Sequence, residues 1–294
     1  MRILLFGRDG QLGHELGKTL APLGDLLAVD KGDLDLTKVK LIQHFVENFG
    51  PEVIINAAAY TDVDGAEAEP DLALAVNATA PGAMAGMARS SGSLFIHYST
   101  DYVFDGEKGL AYNENDPAHP INTYGRTKLA GEQSVQAIGG IFLILRTSWL
   151  YGIGQNSFPI KVLAWARQQK HMRIVEDQVG SPTSCRMLAG MTAALLREKD
   201  QRGIAWLEER SGLYHVAGKG AVNRFEWAKK ILNLDPHPKE HVFKSLEPAQ
   251  SEGFPTPAKR PRFSALDCHR FENVFGLALP EWEVSLAEAM REGF

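Results

Sequence analysis

Short apolar runs alternate with amphipathic stretches along the first half of the chain. The apolar runs have the length and the aliphatic content of buried strands, and the stretches between them have helical periodicity. Strands and helices in regular alternation, joined by short connections, predict an α/β fold with a doubly wound parallel sheet. The predicted strands are Met1 to Phe6, Leu26 to Val29, Val53 to Asn56, Leu94 to Tyr98 and Ile141 to Arg146.

Capping residues and hydrophobic periodicity predict where the helices begin and end. Thr37 is a predicted N-cap for a helix that ends before Gly50, and a long helix is predicted from about Asp71 to Ser91. After Tyr151 the pattern predicts a helix from about Phe158 to Gln169 and a short strand at Ile174 and Val175, and then a loop over residues 177–183 that leads into another helix.

The second half of the chain has a different pattern of predicted elements. From about Lys219 the predicted elements are shorter and proline is more frequent, as in Phe254 to Pro257. We therefore expect a smaller lobe that closes over a ligand. The predicted division gives residues 1–152 and about 177–218 to the sheet domain, and about 153–176 and 219–294 to the smaller C-terminal substrate-binding lobe.

Three glycines directly follow the first predicted strand. Gly7, Gly10 and Gly13 precede a helical pattern, and this order suits a tight turn with a diphosphate at the helix N-terminus. The spacing is GxxGxxG rather than GxGxxG. Asp30, at the end of the second strand, stands where a carboxylate accepts hydrogen bonds from an adenosine ribose. Together these residues predict a dinucleotide-binding Rossmann domain.

Tyr124 and Lys128 are the candidate proton-transfer pair. Residues four apart on a helix share one face, so the ammonium can stabilise the phenolate by up to ~4 kcal/mol at close range. That attraction would lower the phenol pKa from its usual ~10 towards neutrality, where general acid catalysis is efficient. With seven Tyr in the chain such a pair also arises by chance, so the interpretation depends on the other motifs.

Composition and charge narrow the classes of protein. The 294 residues are 44% hydrophobic and 23% charged, enough for a large core, and the net charge of −5 argues against broad binding to nucleic acid or anionic membranes. The two cysteines form neither a metal-ligand pattern nor a disulfide framework. No apolar run is long enough for a signal or membrane segment, so we expect a cytoplasmic protein.

Five motifs, in order along the chain, carry a family resemblance that covers nearly its whole length. The chain resembles the extended short-chain dehydrogenase/reductase family and, within it, the dTDP-4-dehydrorhamnose reductases. The motifs are residues 56–64 (NAAAYTDVD), 97–104 (HYSTDYVF), 124–132 (YGRTKLAGE), 146–149 (RTSW) and 177–183 (DQVGSPT).

The resemblance implies a reaction and a catalytic set. It implies reduction of the C4 keto group of dTDP-4-dehydro-L-rhamnose with NADPH or NADH. Tyr124 would give a proton to the sugar O4, Lys128 would hold the nicotinamide ribose and lower the Tyr124 pKa, and Thr100 would polarise the carbonyl.

The resemblance also implies which residues would contact the cofactor and which would contact the substrate. Gly10, Gln11 and Leu12 would contact the cofactor diphosphate, and Asp30 its adenosine ribose. The rest of the cofactor would meet Asp35, Leu36, Ala59, Tyr60, Thr61 and Tyr98. The substrate sugar would meet Asp101 and Trp149, although core packing would equally explain Trp149, and its diphosphate would meet Arg260 or Arg262 in the basic cluster at residues 259–262.

Several alternatives remain open at this stage. Related 4,6-dehydratases carry Glu where this chain has Tyr102, so elimination of water is disfavoured. An epimerizing reductase would need a further acid and base, and Cys185 is better explained as a small buried hydrophobe. Reduction of another NDP-4-keto-6-deoxyhexose remains possible, as does a non-catalytic regulatory role like that of the methionine adenosyltransferase beta subunit.

Cofactor preference and assembly are open as well. Asp30 favours the free ribose of NADH, whereas Arg8 and Lys31 could pair with the 2′-phosphate of NADPH, so we expect use of both. Some relatives form dimers through a metal held by carboxylates. Glu15 and Glu292 stand at matching places, but Arg186 occupies the third, so we predict no metal there and a monomer or weak homodimer.

Overall fold

The structure is a computed structural model that describes residues 1–152 and 157–292. The strands are Arg2–Phe6 (β1), Asp25–Val29 (β2), Val53–Asn56 (β3), Leu94–Thr100 (β4), Phe142–Thr147 (β5), Leu150–Tyr151 (β6), His171–Val175 (β7), Val179–Gly180 (β8), Thr183–Ser184 (β9), Gly212–His215 (β10), Val222–Asn223 (β11) and Ser245–Ala249 (β12). The helices are Gln11–Leu20 (α1), Val39–Phe49 (α2), Gly65–Ala68 (α3), Pro70–Leu74 (α4), Ala80–Ser91 (α5), Thr123–Ile138 (α6), Phe158–Gln168 (α7), Cys185–Arg202 (α8), Ile204–Glu208 (α9), Arg224–Leu234 (α10), His269–Phe275 (α11) and Trp282–Glu292 (α12).

Six strands form the central sheet, in the order β10-β5-β4-β3-β1-β2. Every neighbouring pair is parallel, and the central strands are buried along almost their whole length because helices cover both faces. The α/β doubly wound fold predicted from the alternating pattern is confirmed. The sixth strand, β10, was not predicted, because its four residues, Gly212 to His215, are not an apolar run.

The two faces of the sheet have separate apolar layers. One layer joins α1 and α8 to the sheet through residues such as Leu16 and Leu188, and Phe271 of α11 packs into it. The other joins α2, α5 and α6, with Ile42 and Met84 completely buried. Both layers hold the strands rigidly, so the groups at the strand ends are fixed relative to one another.

Two helix predictions need correction. Thr37 does not cap α2, since its hydroxyl donates to Asp35 and the helix begins only at Val39. The long helix predicted from Asp71 to Ser91 ends where expected but contains a π turn over Ala75–Thr79 between α4 and α5. Pro81 has no N–H to donate to the carbonyl of the residue four before it, so a regular helix cannot run through this point.

A third apolar cluster lies outside the sheet. It gathers Trp227 of α10, Val162 of α7 and Leu286 of α12 around short strands, and Trp227 is among the largest fully buried side chains. Among the described residues, no helix is long and apolar enough to cross a membrane.

Candidate active site

A large cleft runs along the carboxyl ends of the central strands, with a cavity volume of about 1040 Å³. Open α/β sheets bind ligands at this edge. The cleft brings together almost all the residues predicted for cofactor and sugar. Those that line it are Gly7, Gly10, Gln11, Leu12, Asp30, Asp35, Leu36, Ala59, Tyr60, Thr61, Tyr98, Thr100, Asp101, Tyr124, Lys128 and Trp149.

The glycine turn fits a diphosphate. Gly7 has φ +91°, and a Cβ at Gly13 would lie 1.7 Å from the Gly7 carbonyl oxygen, so α1 packs directly on the turn. Gly13 thus supports the site from below rather than lining it. Gly10 caps α1 without a side chain, which leaves the first N–H groups of the helix free to meet an anion.

At the adenosine end the carboxylate of Asp30 is held by the backbone. It accepts hydrogen bonds from the N–H of Asp9 at 2.7 Å and of Lys31 at 2.6 Å. Arg8 pairs with Asp9 and with Asp33, the latter at 3.1 Å, whereas Lys31 is exposed on the cleft wall. The fixed carboxylate suits a ribose hydroxyl, and Lys31 is the cation better placed to meet a 2′-phosphate.

A side-chain cap and a close backbone contact position Tyr124 at the start of α6. The Asn122 side chain caps the helix, accepting from the Gly125 N–H at 2.7 Å and donating to the Lys259 carbonyl oxygen at 2.8 Å. A Cβ at Gly125 would lie 2.1 Å from the Tyr102 carbonyl oxygen, so only glycine allows this approach. The rings of Tyr102 and Tyr124 then meet edge to face at 5.9 Å.

Burial favours the protonated form of the Tyr124 phenol. Burial raises the pKa of its phenol above the usual value, the hydrogen bond with Thr100 lowers it in part, and the charge of Asp101 raises it further. The expected lowering of the Tyr124 pKa by Lys128 is therefore not observed. The Lys128 ammonium instead donates to the Tyr98 carbonyl oxygen at 2.7 Å, and desolvation of the phenol is the largest influence on its pKa.

Lys128 is itself strongly perturbed. The side chain is 2% exposed, and burial lowers its pKa to about 8, against the opposing effect of Glu132. Behind it lies a buried ion pair in which both carboxylate oxygens of Glu132 accept from Arg146, at 2.8 and 2.6 Å, while Ser99 donates to the same carboxylate. The sequence analysis missed Glu132, although it continues the four-residue spacing of Tyr124 and Lys128 along α6.

Asp101 is held by hydroxyl groups from three parts of the chain. Ser148 and Ser264 donate to one carboxylate oxygen, at 3.0 and 2.5 Å, and Thr100 donates to the other at 3.1 Å. Burial raises the pKa of Asp101 to about 6, and the three hydroxyl groups oppose that rise. Asp101 thus joins the end of β4 to the C-terminal segment beside Tyr124.

Trp149 forms one wall of the substrate end. Its φ of +46° is rare for a residue with a large side chain. Its ring packs directly on Gly180, so that a Cβ added at Gly180 would lie only 2.4 Å from the nearest ring atom. On the ring lies the guanidinium of Arg224, 3.9 Å from the centroid. The sequence analysis missed Arg224, which belongs to no recognised motif. Its position depends on how α10 packs against the cleft.

The two predicted arginines of the basic cluster do not line the cleft. Arg260 forms a two-fold hydrogen-bonded ion pair with Asp64, both distances being 2.7 Å. Arg262 pairs with Glu252 at 2.8 Å, and both side chains are mostly exposed. In this structure both arginines are engaged with protein carboxylates, and their contact with substrate remains a prediction.

The structure also shows the contacts of the three residues at the positions where some relatives are expected to hold a metal. Arg186 forms an ion pair with Glu292, and Glu15 pairs with Lys18 at 3.1 Å. Within residues 1–152 and 157–292, no three His, Cys, Asp or Glu side chains are grouped so that they could hold a metal ion. Cys185 is completely buried in the core, where burial raises the pKa of its thiol.

Comparisons with known proteins agree with this arrangement. Residues 1–293 match the family described as "RmlD substrate binding domain". The dTDP-4-dehydrorhamnose reductase of Salmonella typhimurium is 38% identical, over 100% of this chain and 98% of the relative. A crystal structure of a dTDP-4-dehydrorhamnose reductase from Clostridium acetobutylicum superimposes with a TM-score of 0.90 at 36% identity, covering 99% of both chains. One from Bacillus anthracis, solved in complex with NADP, gives 0.88 at 34% identity and the same coverage.

The likeness extends over the whole length of the chain and over its fold. The resemblance inferred from sequence is confirmed. The chain belongs to the RmlD substrate-binding-domain family, the family of the dTDP-4-dehydrorhamnose reductases.

Proposed function

We propose that this protein reduces the C4 keto group of dTDP-4-dehydro-L-rhamnose, with NADPH or NADH, to give dTDP-L-rhamnose. The observation that carries the proposal is the meeting of Thr100, Tyr124 and Lys128 in a cleft that begins at a glycine turn. The names of the full-length relatives support the substrate, and the NADP complex of the Bacillus anthracis relative supports the cofactor.

The cleft residues fit a nicotinamide dinucleotide. The free N–H groups at the start of α1 suit its diphosphate, the Asp30 carboxylate suits its adenosine ribose, and Asp35 and Leu36 form the adenine wall. Ala59, Tyr60, Thr61 and Tyr98 line the same cleft and would contact the rest of the cofactor. When bound there, the cofactor supplies the hydride that adds to the sugar C4.

The protein's part in the reaction is to polarise the carbonyl and to supply a proton. The Thr100 hydroxyl lies close enough to Tyr124 to lower the pKa of its phenol, so a carbonyl oxygen placed between the two side chains can accept from both hydroxyl groups. As the C4–H bond forms, negative charge develops on O4, and the Tyr124 hydroxyl transfers its proton there. The raised pKa keeps that proton in place until O4 becomes basic enough to take it.

Lys128 has two tasks in this scheme. One of its three N–H donors is used by the Tyr98 carbonyl oxygen, and the others are available for the hydroxyl groups of the nicotinamide ribose. Its charge also offsets the negative charge left on Tyr124 after proton transfer. The Glu132–Arg146 pair fixes α6 behind it, so that both tasks are carried out from one position.

We propose that the substrate is held by a smaller lobe of residues about 153–176 and 219–294. The separate apolar cluster around Trp227 supports this division, while α11 returns to the sheet layer. Asp101 and Trp149 are the proposed sugar contacts, since both line the cleft near Tyr124. A cytoplasmic location and a monomer or weak homodimer complete the proposal.

The direct test is turnover of purified protein with enzymatically prepared dTDP-4-dehydro-L-rhamnose. We expect NADPH and NADH to be consumed in step with formation of dTDP-L-rhamnose, identified by NMR of the C4 configuration. The dTDP-4-keto sugar of the opposite C5 configuration serves as the control for stereochemistry. Binding of cofactor and sugar without any consumption of NAD(P)H would contradict the proposal and favour a regulatory role.

A further inference from the structure

Arg224 differs from the other arginines near the substrate end of the cleft, because it forms no ion pair with a carboxylate. Arg260 is paired with Asp64 and Arg262 with Glu252. Among the described residues, no carboxylate lies within 4.0 Å of the Arg224 guanidinium, and the acidic groups that act on it are the Tyr102 phenol and, from a longer distance, the Asp101 carboxylate. A partly buried cation with no close counter-ion is costly unless a ligand supplies the opposite charge.

Aromatic rings hold this guanidinium in place. Its central carbon lies 3.9 Å from the Trp149 ring centroid, 4.9 Å from that of Phe158 and 5.9 Å from that of Trp227. The N–H groups of a guanidinium point outward in its own plane, so stacking on ring faces leaves them free to donate. Arg224 is therefore oriented by its neighbours while most of its hydrogen-bonding capacity is unused.

The position is close to the reacting group. Arg224 lies beside the phenol of Tyr102, whose ring contacts Tyr124 at 5.9 Å. Trp149, under the guanidinium, lines the same cleft as Tyr124. A ligand whose keto group lies at Tyr124 would extend along Trp149 towards Arg224.

Helix stability does not explain an arginine at this place. Arg224 is the first residue of α10, where the helix dipole disfavours a cation, and the cap is supplied by Asn223, which accepts from the Glu226 N–H at 2.8 Å. The positive helix end and the guanidinium together create a site for negative charge.

We propose that Arg224 binds the diphosphate of the nucleotide-sugar substrate and so selects nucleotide sugars over free keto sugars. This inference rests on the proposed function, since it assigns a residue to that substrate. A guanidinium can donate to two phosphate oxygens at once, which fixes the distance between the diphosphate and the keto group. Arg224 is thus a specificity-determining residue on the lobe opposite the catalytic helix.

The test compares Arg224→Met and Arg224→Lys with the wild type. For Arg224→Met we expect the KM of the dTDP-sugar to rise by ~10-fold or more with kcat nearly unchanged, the pattern of lost uniform binding, and for Arg224→Lys a smaller rise. Arg173→Met is the matched control, since Arg173 stacks on Phe254 in the same lobe, outside the cleft. Thermal unfolding of each variant monitors the fold.

A binding measurement separates diphosphate recognition from simple packing. The NADPH complex is titrated with dTDP and with thymidine, which lacks phosphates. Arg224→Met should weaken the binding of dTDP and leave the binding of thymidine unchanged. Rising salt should weaken dTDP binding less in the variant than in the wild type. Equal weakening of dTDP and thymidine, or unchanged KM and dTDP affinity, would overturn the inference. Absence of turnover in the wild type would instead refute the proposed function, and the dTDP titration would still decide the role of Arg224.

Discussion

The cofactor end and the substrate end of the cleft are built in different ways. At the cofactor end, Gly7, Gly10 and Gly13 follow one strand directly, and the groups offered to a ligand are backbone N–H groups and one fixed carboxylate. At the substrate end, the wall includes the Trp149 ring, and Arg224 lies on that ring; the two residues come from distant parts of the chain and depend on side-chain packing.

This difference predicts how each end responds to change. A site made of backbone fails when the backbone is displaced, whereas a site made of stacked side chains can adjust by small rotations. Tyr124 lies between the two ends and belongs to neither binding surface alone. Substitutions can therefore separate catalysis, cofactor binding and substrate binding.

The largest effect is expected from Tyr124→Phe, which removes the donated proton and keeps the ring. Turnover should fall by ~10²-fold or more, while the Kd of NADPH and the affinity for dTDP stay close to those of the wild type. Steady-state kinetics and isothermal titration provide both values. Turnover within a few-fold of the wild type would mean that another group supplies the proton.

Gly13→Ala should weaken cofactor binding by displacing the glycine turn. The added Cβ would lie 1.7 Å from the Gly7 carbonyl oxygen, so the turn must move, and we expect the Kd of NADPH to rise by ~30-fold, of the order that displaced backbone contacts cost. Gly17→Ala is the control in the same helix, since nothing lies within 4 Å of its added Cβ. If both variants bind NADPH equally well, the close packing of α1 is not needed for the site.

The pH dependence tests Lys128, which both ends share. Its pKa of about 8 means that the ammonium is charged below that pH and neutral above it. Because the proposed role of this charge is to support Tyr124 and the cofactor ribose, kcat/KM should decline as pH rises through about 8, approaching ~10-fold per pH unit. Lys128→Arg should move the decline to higher pH, since a guanidinium keeps its proton. A profile that is the same in both proteins would remove Lys128 as the titrating group.

The smallest effect is expected from Gly180→Ala at the substrate end. Its Cβ would press on the Trp149 ring at 2.4 Å, and the ring can yield by rotating. We expect the KM of the nucleotide sugar to rise by ~5-fold, within the range of overpacking effects, with an unchanged Kd for NADPH. Gly190→Ala, which has open space around its Cβ, controls for the substitution itself. A changed cofactor Kd would show that the two ends are coupled.

The same contrast explains how much could be predicted from the sequence. The sheet, the glycine turn and the Tyr124–Lys128 pair follow from local periodicity and spacing, which a single segment contains. Arg224 could not be found in this way, because its position depends on the packing of α10 against Trp149. The Tyr124 pKa was predicted in the wrong direction, because spacing gives the distance of Lys128 but not the burial of the phenol.

The contact between Gly125 and the Tyr102 carbonyl oxygen has an evolutionary consequence. The distance from the catalytic helix to residue 102 is set by main chain, which is the same whatever side chain residue 102 carries. Exchange of that side chain can therefore introduce a new acid or base beside Tyr124 without moving the phenol. A single replacement at residue 102 can thus change the chemistry of the site while the scaffold around the catalytic helix stays the same.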